Sequence, residues 1–156
     1  MKTFYTLLLA FGLCLTVHSQ NIIDFNSASS PVKNQIEVLL QGDTNRLLFQ
    51  SGFSTKHLSN DNQGIKLIKI VNSNSIDNNI LVDYGANYSN VKAIVFSDIT
   101  NSSSTVEALD LTGFNSLEYV VIDANESLSN LFIQNLLQSV QLPKNVIIVH
   151  KHVVLM

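Results

Sequence analysis

The chain has 156 residues, the length of one domain, and its 46% hydrophobic and 13% charged composition excludes an intrinsically disordered polymer. A formal charge of -3 gives no electrostatic basis for binding nucleic acid or an anionic membrane. The single cysteine excludes a disulfide framework, a Cys-rich zinc site and a CxxC redox pair.

The chain opens with a positive start, Met1-Lys2, then an uncharged apolar run from Phe4 to Val17, then Val17-His18-Ser19 with small or compact residues around a cleavage point. This is the pattern of a secretory signal peptide over residues 1–19, and the run is shorter than the roughly 20 residues that span a bilayer. The mature chain is therefore expected to be secreted or periplasmic, beginning at Gln20. Cys14 leaves with the leader, and Leu13 stands where lipoprotein cleavage needs a small residue. The leader takes one of the nine basic residues and none of the twelve acidic ones, leaving a mildly acidic chain without cysteine. No later segment is long and apolar enough for a membrane span.

Residues 20–64 read as an N-terminal helical cap segment. A short apolar patch, Ile22-Ile23-Asp24-Phe25, leads through a Ser-rich link to Ser30-Pro31, a good helix start. Val32, Ile36, Leu39 and Leu40 fall at i, i+4, i+7 and i+8, one helical face, and Gly42 is placed to end the helix. Leu47-Leu48-Phe49 then leads into a polar stretch from Ser51 to Gly64.

Residues 65–156 read as a βα repeat region belonging to the same domain. Four β-rich runs begin near Ile65, Val91, Leu117 and Asn145. Ile65, Val91, Leu117 and Pro143 are spaced by 26 residues, as are Ile68, Ile94, Val120 and Val146, and Ile70, Phe96, Ile122 and Ile148; all but Pro143 are apolar. Between the runs, Ser104-Thr105-Val106-Glu107 is a capping box followed by Leu109 and Leu111, and Ser127 to Leu137 reads as a helix stopped near Pro143. Strand, cap, helix and loop within 26 residues imply parallel strands, since a hairpin needs only a few linking residues. The fold class expected is α/β: a parallel sheet of about four strands with an N-terminal helical cap. The helix Pro31–Gln41 has an apolar stripe suited to covering that sheet, the alternative cover being a partner.

Leu117-Glu118-Tyr119-Val120-Val121-Ile122-Asp123-Ala124-Asn125 resembles the LxxLxLxxN strand segment of a leucine-rich repeat of an exported bacterial type. Val91 to Ile99 and Ile65 to Ser73 share its apolar positions but carry Ile99 and Ser73 in place of the Asn. The resemblance covers about residues 65–156. It implies a non-catalytic interaction protein whose partner is another protein, and it implies no cofactor.

Residues following parallel strands gather at one sheet edge, where α/β sheets place ligands. This gives a speculative ligand-binding set, Asp98, Asp123, Asn125, Glu126 and His150. Carboxylates and amide oxygens suit a hard cation, and a carboxylate with a histidine suits acid–base work, so a cation-binding protein or a small hydrolase stands as the alternative. Polar loops and caps explain the same residues without any ligand. His150-Lys151-His152 puts two imidazoles on one strand face, a seed for zinc or copper with no third ligand indicated. No GxSxG, HExxH, GxGxxG or P-loop motif occurs, so no catalytic residue is assigned. Asn87, Asn101 and Asn125 head N-x-Ser triplets, which matter only in a glycosylating host. The apolar end Val153-Val154-Leu155-Met156 either folds into the core or docks on a second copy or on a larger envelope complex.

Overall fold

A computed structural model describes residues 21–50, 53–57, 64–71, 89–103 and 109–152. The leader, the capping box at residues 104–107 and the apolar tail 153–156 lie outside them. In chain order the elements are β1 (Ile22–Asp24), a 3-10 turn (Phe25–Ser27), α1 (Ser30–Gln41), β2 (Arg46–Gln50), β3 (Phe53–His57), β4 (Leu67–Val71), β5 (Ala93–Ile99), β6 (Leu109–Asp110), β7 (Tyr119–Ala124), α2 (Asn130–Leu136), β8 (Val140–Gln141) and β9 (Ile147–His152).

Seven strands form one sheet in the order β1-β9-β7-β5-β4-β2-β3, every pair parallel except the β2–β3 edge. The fold is thus α/β with a mostly parallel sheet, wider than the four strands expected from sequence. The extra strands come from residues 20–64, whose short runs lie outside the 26-residue spacing. Ile68 pairs with Ile94 and Ile94 with Val120, each 26 residues on. Val120 then pairs with Ile148, 28 residues on, where the constant spacing calls for Val146. The two extra residues sit in a turn before β9 in which Asn145 takes a left-handed conformation, φ 70°. A shift of two restores the same face because strand side chains alternate, so the aliphatic pattern survives the slip.

The two faces of the sheet are buried separately. One face contributes Ile68, Ile70, Ile94, Phe96, Val120, Ile122 and Ile148 to a core closed by Ile133 and Leu136 of α2. A two-stranded parallel ribbon, β6 with β8, adds Leu109 and Val140 to the same core. Leu109 is therefore in a strand and not in a helix following the capping box: its N–H donates to Ser139 O and that of Leu111 to Gln141 O, so the ribbon takes up the backbone groups here. α2 begins where a side chain can stop the backbone from fraying, the Ser129 hydroxyl accepting from Phe132 N.

The opposite face carries Leu67, Ala93, Val95, Tyr119, Val121 and Val149, and onto it pack Ile36 and Leu39 of α1. Connectivity requires this placement. β1 and β2 are separated by five strand spacings in the sheet, roughly 24 Å, and a 12-residue helix covers about 18 Å of that crossing. The Tyr119 hydroxyl also donates to Gln35 Oε1, tying the helix to the sheet centre. Past the helix, Arg46 locks the turn by donating from Nη2 to Gly42 O at 2.8 Å.

Candidate functional site

The parallel register decides which side chains meet at the edge where β5, β7 and β9 end. In the rows along the main core, Ile70 pairs with Phe96, Phe96 with Ile122, and Ile122 with His150. His150 occupies a place that three preceding strands fill with an apolar side chain, and it is 3% exposed. The next row joins Ser97, Asp123 and Lys151. Because side chains alternate, Asp123 and Lys151 point to the α1 side of the sheet, away from His150. The expected meeting of Asp123 with His150 does not occur, and an acid–base pair between them has no geometry to act through.

The other expected residues are dispersed as well. Asp98 is the extra residue of a bulge, where the β5–β7 pairing skips from Ser97 to Ile99; it is exposed with φ 60°. Asn125 is exposed beyond β7, its N–H directed at Ile99 O. Glu126 is exposed and its carboxylate accepts from Asn101 N at 2.5 Å, closing the loop after β5. Its backbone favours the charged form of the His150 ring, a small effect against that of burial. The set thus does not converge: Asn125 and Glu126 bond to Ile99 and Asn101, residues outside it, as capping groups do.

A different group converges. β1 lies parallel beside β9, so Asp24 pairs with His150 and shares its face. His152, two residues on, shares that face too. Nδ1 of His152 lies 4.0 Å from Oδ2 of Asp24, and the two imidazole rings are 5.5 Å apart between centroids with planes at 29°. One ligand atom from each of Asp24, His150 and His152 lies within 4.8 Å of the other two. Oδ1 of Asp24 is held by the Asn26 N–H at 2.8 Å, which caps the 3-10 turn and fixes the carboxylate. Nε2 of His150 is buried without a hydrogen-bond partner. His152 Nδ1 is likewise buried and unpartnered.

Burial pushes the His150 imidazole below its ordinary pKa, with His152 adding to the shift and Asp24 opposing it. The ring is accordingly neutral at neutral pH. An orphaned buried polar atom of this kind costs on the order of 1–3 kcal/mol, so its retention in the main core calls for a reason. The sequence shows the His-x-His pair but gives no link to Asp24, because nothing in the short patch Ile22-Ile23-Asp24-Phe25 says that β1 lies beside β9.

A cleft of about 420 Å³ lies elsewhere, lined by Lys66, Asn90, Lys92 and Ser116 where the strands begin. Lys92 there is paired with Glu118 at 2.8 Å. Among the described residues no helix is long and apolar enough to cross a membrane. No family model, curated protein or solved structure matches this chain.

Proposed function

We propose that the protein is an exported, non-catalytic binding domain acting on a protein partner through the polar rim at the C-terminal ends of its strands, with residues 65–156 following a leucine-rich-repeat-like plan and residues 20–64 capping it. Supporting the repeat plan, the carbonyls of Asn45, Lys66, Lys92 and Glu118, each just before a strand, accept from the N–H at the start of the next one. Supporting the cap, Ile36 and Leu39 share a cluster with the sheet's second face, so that face is not the binding surface.

The observation that carries the rim assignment is the bulge at Asp98. A non-glycine residue at φ 60° on a solvated sheet end is an uncommon arrangement, and bulges recur where a strand must re-aim a side chain. Asp98, Asp123 and Asn125 are exposed or half-exposed polar residues at this end of the sheet.

A photo-crosslinking residue placed at Asn125 tests this in the producing cell, with Lys144 as a control site. A discrete protein adduct from position 125 and none from 144 is the expected result. Equal labelling from both, or no adduct at 125, contradicts the reading.

A further inference from the structure

We propose that Asp24, His150 and His152 bind one divalent transition-metal ion of the zinc class, clamping the first described strand to the last. The donor set selects the ion: two imidazoles with one carboxylate suit Zn2+ and its first-row neighbours, whereas Ca2+ and Mg2+ take oxygen shells. Three protein donors also leave a coordination position open, for water or for a group brought by a partner.

Three observations converge on this site. His150 stands in a row of apolar residues, 3% exposed, with its buried Nε2 lacking a hydrogen-bond partner. Asp24 is anchored through one oxygen, and the other lies 4.0 Å from the orphaned Nδ1 of His152. The three ligand atoms fall within 4.8 Å of one another. Donors 2.0–2.1 Å from a tetrahedral zinc sit roughly 3.3 Å apart. An inward shift on the order of 1 Å, available to the half-exposed Asp24 and to His152 near the strand end, closes the site.

The experiment uses the untagged chain stripped with chelator, titrated calorimetrically with Zn2+ and spectroscopically with Co2+, whose tetrahedral complexes absorb strongly in the visible. One equivalent of zinc is expected to bind, with a visible Co2+ band at the same stoichiometry and a higher melting temperature. Asp24→Asn keeps an oxygen for the Asn26 N–H while removing the charge, and His152→Gln alters a residue that is not in the core. Each is expected to weaken zinc by at least the ~10–100-fold that outer-shell losses alone cause. Those two variants carry the decision even where His150→Gln does not fold. Absence of saturable binding at one equivalent overturns the proposal, as does wild-type affinity in both variants.

Discussion

At the scale of single residues, the carboxylates of Asp24, Asp110 and Glu126 each hold a backbone N–H. Asp110 shows this in its simplest form: one oxygen accepts both the hydroxyl of Thr112 at 2.6 Å and its N–H at 2.9 Å, and these bonds hold the carboxyl below its ordinary pKa of 3.8. A depressed folded-state pKa means that the unfolded chain takes up the proton first. The contribution of this group to stability is therefore present above pH 3.8 and disappears as pH falls through the lowered folded value. Thr112→Ala removes the largest cause, so the Asp110 carboxyl resonance followed by NMR should titrate closer to 3.8 in the variant. An unchanged midpoint would show that the hydroxyl is not the cause. At this scale the sequence was legible for Gly42 as the end of α1, but Ser30 is already helical, Ser29 stands at the N-cap without a side-chain cap bond, and the site was opaque. Glu126 and His150 were picked out for their chemistry, yet the Glu126 carboxylate bonds Asn101 N and His150 lies beside Asp24 of the distant first strand.

At the scale of elements, α1 was readable because Val32, Ile36, Leu39 and Leu40 form a single stripe, and Ile36 and Leu39 are the two residues it buries. The strands of the second half were readable as continuous aliphatic runs, as expected for strands covered on both faces. β1, β2 and β6 were not: runs of three, five and two residues carry too little periodicity to separate strand from loop. Their identity comes from the neighbours they pair with. The attachment of α1 has two parts of different weight. Ile36→Ala empties a fully packed position and is expected to cost about 2–5 kcal/mol, while Tyr119→Phe deletes one hydrogen bond to Gln35 and is expected to cost about 0.5–1.5 kcal/mol. Urea unfolding of both variants measures this. A Tyr119→Phe loss equal to or larger than that of Ile36→Ala would mean that the helix is held by polar contact and not by its apolar stripe.

At the scale of the whole molecule, one chain path explains the rest. The first described strand lies at one edge of the sheet beside β9, the helix crosses over the second face, and the chain then returns strand by strand through β2, β4, β5 and β7, so that the last described strand lies beside the first. That closure puts Asp24 against His150 and gives the last strand a neighbour on both sides. The 26-residue spacing revealed the direction and order of β4, β5 and β7, whereas the closure was hidden because it joins residues more than 120 positions apart. The path and its register are tested most directly by cross-strand nuclear Overhauser contacts in the isotopically labelled chain. Parallel contacts linking Ile94 to Val120, Val120 to Ile148 and Asp24 to His150 are predicted. Contacts of Val120 with Val146 instead of Ile148, or an antiparallel pattern between β5 and β7, would contradict the account.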